Sequence, residues 1–158
     1  MATTSDRLLE IYLADHLAAS TAGLELARRS ARSNAGNATG EFLRRLVIEV
    51  EEDRETLKRA IAELGFKPSR PKEGAAWVLE KVGRLKLNGQ VRGYSPLSRV
   101  LELESLAVGI AGKEALWRAL QRVATVETVD LEGLVERARR QRADTEEHRI
   151  AAVDEALR

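Results

Sequence analysis

The sequence contains no cysteine, and its 158 residues include only three prolines. The absence of cysteine excludes disulfides, thiolate metal sites and cysteine nucleophiles, and it is expected of a protein in a reducing cytoplasm. Few prolines, together with 44% apolar and 32% charged residues, favour a helical globular protein over a sheet or a disordered chain. At this length we expect residues 1–158 to form a single domain with a sizeable core.

Long apolar runs and a surplus of one charge are lacking as well. No stretch approaches the roughly 20 apolar residues of a membrane-spanning helix, and the segment from Met1 to Arg7 lacks the regions of a signal peptide. The net charge of +1 provides no overall attraction to nucleic acid or membrane surfaces. Phosphate-binding loops and nucleophile elbows are absent. The sequence therefore favours a cytoplasmic, non-catalytic protein over an enzyme and indicates no small-molecule substrate.

Apolar residues that recur at steps of three and four predict four long helices. Their expected bounds are Ser5–Arg32, Glu41–Leu64, Ser95–Val123 and Leu131–Leu157. Thr39 and Asp130 are predicted to cap the second and fourth helices, and the Ser95-Pro96 pair is typical of a helix start. Between the second and third helices, a shorter amphipathic helix over Lys72–Leu87 is expected to cross the bundle.

Four titratable side chains interrupt the predicted apolar stripes. They are His16, Glu49, Asp53 and Glu104, on the first three long helices. Each is predicted to point into the core, where an unpaired charge costs several kcal/mol or is neutralised by a pKa shift. Inward carboxylates and imidazoles build either metal sites or buried ion-pair networks in helical bundles.

The third predicted helix is apolar on two faces. One stripe includes Glu104 and is predicted to face the core; its other members are Leu97, Val100, Leu101, Ala107, Val108, Ala111 and Ala115. The second stripe consists of Leu103, Leu106, Ile110 and Trp117. A helix with two apolar faces is central or lines an oligomer interface. We expect the crossing helix to cover the second face. We also expect the chain to form a dimer through the surface around Trp77, Trp117 and Ile110.

The order of elements resembles the ferritin-like superfamily: two long helices, a connection long enough to cross the bundle, and two more long helices. The resemblance covers nearly the whole chain and concerns its topology. It implies an all-α fold, an antiparallel four-helix bundle with a short crossover helix between helices 2 and 3. The stretches Tyr12-Leu-Ala-Asp-His16 and Ser95 to Glu104 also look like an uncharacterised bacterial family, a resemblance that implies no activity.

In di-metal members of that superfamily, helices one and three each supply a Glu, and helices two and four each supply Glu-x-x-His. Here Glu49, Glu104 and His148 match positions of this pattern, whereas Glu52 and Thr145 stand where a His and a Glu are expected. The resemblance thus implies iron or manganese as the alternative cofactor. The ligands in that alternative are Glu49, Asp53, Glu104, His16 and His148.

The favoured interpretation has no cofactor. Arg142 and Arg149 lie near the centre of the predicted inward stripe of the fourth helix, where a guanidinium can take the electrostatic place of a metal. The sequence then predicts a structural or protein-interaction role and a core ion-pair network. Its members are Glu49, Asp53, Glu104, Arg142, Arg149 and His16. The alternative is an oxidase or metal-handling protein with a di-iron or di-manganese type of site.

The connection between the second and third helices is basic. It contains Lys67, Arg70, Lys72, Lys81, Arg84, Lys86 and Arg92 but only Glu73 and Glu80 as acids. A second alternative is therefore that the crossover segment binds anionic lipid or nucleic-acid phosphate beside Trp77. The balanced overall charge disfavours this alternative, and we expect Trp77 to be buried.

Overall fold

The computed structural model describes residues 3–67 and 93–158, and within these ranges it contains four α-helices and no strand. The helices are α1 (Thr4–Ser33), α2 (Ala38–Glu63), α3 (Pro96–Val123) and α4 (Leu131–Leu157). The four predicted long helices are thereby confirmed, with ends that differ by three residues or fewer. The predicted crossing helix at Lys72–Leu87, including Trp77, lies outside the described residues. No helix in the described ranges is both long and apolar enough to span a membrane.

Side-chain oxygens mark the starts of the helices. Ser95 and Asp130 cap α3 and α4 as predicted, by accepting hydrogen bonds from backbone N–H groups three residues further on. The predicted cap Thr39 is wrong, because α2 begins earlier and Asn37 accepts the N–H of Gly40 at 3.0 Å. Asparagine is at least as good a cap as threonine. A side chain at Gly40 would collide with the backbone of the preceding turn, so this tight connection requires glycine.

Contacts along the helices define how they pack. Between α1 and α2, Arg28 lies 2.8 Å from Glu51, and further along the pair Arg54 donates to the Thr21 hydroxyl at 3.2 Å. The helices α3 and α4 are likewise in contact along their length, and α1 also packs on α3. The backbones of α2 and α4 come close at few points. Long polar side chains therefore have to bridge the space between these two helices.

Two groups of buried apolar side chains fill the interior. The first includes Leu26, Phe42, Leu43, Leu46, Leu103, Leu106 and Ile110. The second includes Leu13, Leu57, Ile61, Leu116, Trp117, Leu120 and Val135. Each group draws on α1, α2 and α3, so the apolar stripes found in the sequence meet at a shared core.

The helix α3 turns the second of its two predicted apolar stripes toward the core, together with Val100 of the first stripe. Trp117 is only 1% exposed and Ile110 only 4%, whereas Leu97 and Val108 of the first stripe are 49% and 66% exposed. The predicted interface through Trp117 and Ile110 is therefore wrong, since both side chains are used inside the chain. The second stripe carries the larger side chains, and burying it removes more apolar area from water than burying the alanine-rich first stripe.

Candidate functional site

A polar network lies where α2 faces α3 and α4. We name it the lysine network, formed by Glu49, Asp53, Lys113 and Gln141. The Lys113 Nζ atom lies 2.5 Å from Asp53 Oδ2 and 2.5 Å from Gln141 Oε1. The Gln141 amide donates to Glu49 Oε2 at 2.8 Å and to Asp53 Oδ2 at 3.4 Å. Because Asp53 and Gln141 are each only 2% exposed, these partners replace water almost completely.

Two arginines of α4 extend the lysine network toward solvent. Arg137 NH1 lies 3.1 Å from Asp53 Oδ1 and 3.0 Å from Glu52 Oε2. Arg140 NH2 donates to Glu49 Oε1 at 2.9 Å. Three carboxylates thus meet three cations, counting the lysine. This balance avoids the cost of an uncompensated buried charge.

The environment of the lysine network shifts the pKa values of its members. Burial lowers the pKa of the Lys113 ammonium, although the neighbouring Asp53 opposes the shift. Burial pushes the pKa of Glu49 upward, but hydrogen bonds from Gln141 and Arg140 outweigh it and the net shift is downward. The net shift therefore favours the charged form of Glu49 and disfavours the charged form of Lys113.

Helical spacing explains why these side chains meet. Glu49 and Asp53 are four residues apart and share one face of α2. Lys113 lies three residues after Ile110 and four before Trp117, inside the buried stripe of α3. Sequence reasoning missed this lysine because it assigned the other stripe to the core. A search for charged residues in the second stripe would have found it.

Glu104 is the predicted core carboxylate that the structure moves to the surface. Its side chain is 48% exposed and pairs with Arg149 NH1 at 3.3 Å. The prediction that Glu104 points into the core is wrong, because α3 buries the opposite stripe. The structure therefore keeps Glu49 and Asp53 together and separates Glu104 from them.

The predicted cations of the core are also corrected. The Arg142 side chain is 53% exposed and lies 3.4 Å from Glu114, outside the lysine network. Arg149 pairs with Glu104 and with Glu146 at the surface. The inward positions of α4 are held by the shorter, neutral side chains of Gln141 and Thr145, and Arg142 and Arg149 pair with carboxylates outside the lysine network.

The two histidines lie on different helices, α1 and α4, and each contacts an aromatic ring. His16 meets the Tyr12 ring edge-on with centroids 4.6 Å apart, and burial lowers its pKa. His148 stacks on Phe42 at 4.5 Å, and its Nδ1 atom lies 3.3 Å from the Thr39 hydroxyl. Burial also lowers the pKa of His148. No hydrogen bond among the described residues joins either histidine to the lysine network.

The described residues do not fit the iron or manganese pair that the ferritin-like resemblance implies. Nowhere in residues 3–67 and 93–158 do three His, Asp or Glu side chains converge as metal ligands do. The ammonium of Lys113 occupies the point between Asp53 and Gln141. A divalent cation placed beside Asp53 would meet that positive charge, and an ammonium has no lone pair to offer a metal.

A second buried polar group, which sequence reasoning missed, joins α1 to α3. We name it the Glu102 cluster, formed by Ser30, Asn34, Tyr94 and Glu102. Glu102, only 6% exposed, accepts hydrogen bonds from Ser30 Oγ at 2.6 Å and Tyr94 OH at 3.1 Å. Asn34 Nδ2 donates to Tyr94 OH at 2.6 Å, and Arg29 Nε lies 3.3 Å from Glu102. Burial and the charge of Glu102 raise the pKa of Tyr94 to about 12.

An open groove of about 560 Å³ runs between α2 and the start of α4. Among its lining residues, Glu51 pairs with Arg28, which lies outside the groove, and Glu52 pairs with Arg137. The lining carboxylates thus serve as partners for basic side chains of the bundle. The pKa of Glu55 in the lining is lowered and that of Arg137 is raised, so both groups are held in their charged forms and do not suggest acid–base chemistry.

No protein-family model, curated protein or solved structure matches this chain.

Proposed function

We propose that this protein is a non-catalytic bundle of the ferritin-like type, with antiparallel helices and a crossover between α2 and α3, and with a structural or protein-interaction role. In this proposal, cations of the chain hold the carboxylates that correspond to a metal site. The observation that supports it is the position of Lys113, whose Nζ atom lies 2.5 Å from Asp53 Oδ2. The lysine supplies there the positive charge that a metal supplies in di-metal members of the superfamily.

The lysine network then has a structural task. It joins α2 to α3 and α4, and the backbones of α2 and α4 approach each other at few points. Polar contacts with definite partners can select one arrangement of helices over others. We therefore expect the network to set the position of α2 against the α3–α4 pair.

Elemental analysis tests the choice between this proposal and an iron or manganese protein. The protein is produced in medium supplemented with both metals, in its natural form and as the variants Asp53→Asn and Glu104→Ala. We expect less than stoichiometric metal in all three proteins. Only Asp53→Asn should be strongly destabilised, because Asp53 is buried whereas Glu104 is exposed. Stoichiometric metal that is lost in Asp53→Asn would overturn the proposal and establish a metal protein.

We also propose that the protein forms a dimer through the outer face of α3, in place of the interface first expected from the sequence. This face carries Leu97, Leu101, Val108, Ala111 and Ala115, with Val108 66% exposed. Glu104 and Arg122 lie on it 18 residues apart, which is about five helical turns. An antiparallel two-fold pairing brings each Glu104 to Arg122 of the other copy, with the apolar residues between them.

Light scattering after size-exclusion chromatography tests the dimer. We expect a dimer that Val108→Glu converts to a monomer, since a charge would then be buried in the interface. The matched control is Ile48→Glu on α2, which introduces the same charge at a residue that is 59% exposed. A natural chain that is monomeric at every concentration, or equal effects of both variants, would contradict this interface.

A further inference from the structure

A third buried carboxylate lies on α3, twelve residues after Glu102, and is surrounded by arginines. Glu114 is 6% exposed, and its Oε1 atom accepts hydrogen bonds from Arg118 at 2.7 Å and Arg139 at 3.4 Å. Arg142 NH1 lies 3.4 Å from the other oxygen, Oε2. We name Arg118, Arg139 and Arg142 the arginine cluster. Three guanidinium groups from α3 and α4 are thus held around one carboxylate.

The arginine cluster has more positive charge than its partners neutralise. Its three cations face Glu114 and Glu136, which pairs with Arg139, so one positive charge is in surplus. The lysine network together with Glu52, Arg137 and Arg140, by contrast, has three cations and three carboxylates. The surplus lies at the surface, because the three arginine side chains are 52%, 45% and 53% exposed.

Donors in the arginine cluster also outnumber the acceptors. Each guanidinium has five N–H groups, and within residues 3–67 and 93–158 no hydrogen bond uses those of Arg142. The Oε2 atom of Glu114 is buried without a hydrogen-bond partner, so Arg142 is held near it by charge alone. N–H groups on the solvent side of the three arginines are therefore free to bind an acceptor.

We propose that the arginine cluster binds a phosphate group, either as free phosphate or on a small phosphate monoester. Planar guanidinium groups match the oxygens of phosphate through paired N–H donors, and three of them around one point favour a multiply charged oxyanion. The Glu136 carboxylate lies at the edge of the cluster, and the chain's net charge is only +1. Both disfavour a polyanion as the ligand. A compact ligand is therefore the better match.

The binding is tested by titrating inorganic phosphate, and separately glycerol phosphate, at constant ionic strength. NMR signals of the arginine Nε–Hε groups report the binding. We expect saturable shifts, with affinity about tenfold lower in Arg142→Gln, since a charge-assisted pair is lost. Glu114→Gln should bind about fivefold more tightly, because it removes a competing negative charge a few ångströms away. The tighter of the two ligands identifies the source of the phosphate.

Two control variants carry the same charge changes outside the cluster. Arg44→Gln, at an exposed position of α2, matches the charge change of Arg142→Gln, and Glu132→Gln matches Glu114→Gln at an exposed position of α4. Both should alter the affinity less than about twofold, as expected of screened surface charges. The absence of saturable shifts, or equal effects of control and cluster variants, would overturn the proposal. If Glu114→Gln fails to fold, the comparison of Arg142→Gln with Arg44→Gln decides the question alone.

Discussion

The lysine network and the Glu102 cluster satisfy a buried carboxylate in two different ways. Asp53 is held by cations, Lys113 at 2.5 Å and Arg137 at 3.1 Å. Glu102 has its shortest contacts with neutral hydroxyl groups, Ser30 at 2.6 Å and Tyr94 at 3.1 Å. Charge pairing dominates in the first case and neutral hydrogen bonding in the second, although both carboxylates are shielded from water.

The spacing of the helices explains this difference. The helices α1 and α3 pack directly, so the short side chain of Ser30 reaches Glu102 across the contact. The backbones of α2 and α4 come close at few points, and only long side chains such as Gln141 and Arg137 cross that space. The distance between two helices therefore limits which donor side chains can reach a buried carboxylate. It also indicates where substitutions should have the largest effects.

The largest effect is expected from breaking the lysine network. Lys113→Met removes the ammonium between Asp53 and Gln141 and should lower the free energy of unfolding by about 3–5 kcal/mol, because the buried carboxylate loses a cation. Urea unfolding followed by circular dichroism measures the loss. The double variant Lys113→Met with Asp53→Leu should recover much of it, since both charges are then gone. A single variant as stable as the natural chain would show that the network is not what holds α2.

A smaller effect is expected from the Glu102 cluster. Glu102→Gln weakens hydrogen bonds from Ser30 and Tyr94 to a charged acceptor and should cost about 1.5–3 kcal/mol. The matched control is Glu104→Gln, two residues along the same helix at an exposed position, which should change stability by less than about 0.5 kcal/mol. The same unfolding measurement applies. Equal losses in Lys113→Met and Glu102→Gln would remove the distinction between the two clusters.

The pKa of Tyr94 measures the influence of the Glu102 charge on its own cluster, because that charge contributes to raising it. In a Tyr12→Phe background Tyr94 is the remaining tyrosine, and its pKa should be about 12. Adding Glu102→Gln should move the pKa toward the usual value of 10.0, although burial keeps part of the increase. Ultraviolet absorbance of the phenolate gives the curve, and circular dichroism checks that the protein stays folded. An unchanged pKa would mean that Glu102 does not act on Tyr94.

The smallest expected effects are changes in the free energy of unfolding with pH. Burial lowers the folded-state pKa of His16 and His148 below the usual 6.5, so the unfolded chain binds more protons and stability falls as the pH drops through this range. The lowered pKa of Glu49 adds a separate loss only below its usual 4.5. The free energy of unfolding, measured from pH 8 to pH 3, should therefore fall in two steps, one near the usual pKa of histidine and one below 4.5. His16→Gln should reduce the upper step and leave the lower one; a profile without an upper step would contradict the burial of the histidines.

Much of the local structure could be predicted from the residues. Apolar residues that recur at intervals of three and four predicted the four long helices. Ser95 and Asp130 could be predicted as caps because their side-chain oxygens accept the first free N–H groups of a helix. The burial of Asp53 also followed from its position in an apolar stripe. The positions of Glu104, Arg142 and Trp117 did not, because each depended on how a helix is rotated about its axis.

The sequence by itself determined where the four described helices run and which residues lie together on each helical face, since both follow from periodicity and capping within one segment. Only the tertiary structure decided which face of α3 is buried, and with it that Lys113 rather than Glu104 meets Asp53. An apolar stripe on each of two faces makes either rotation of α3 reasonable when the helix is considered alone. The choice depends on apolar area and polar partners that α1, α2 and α4 supply together.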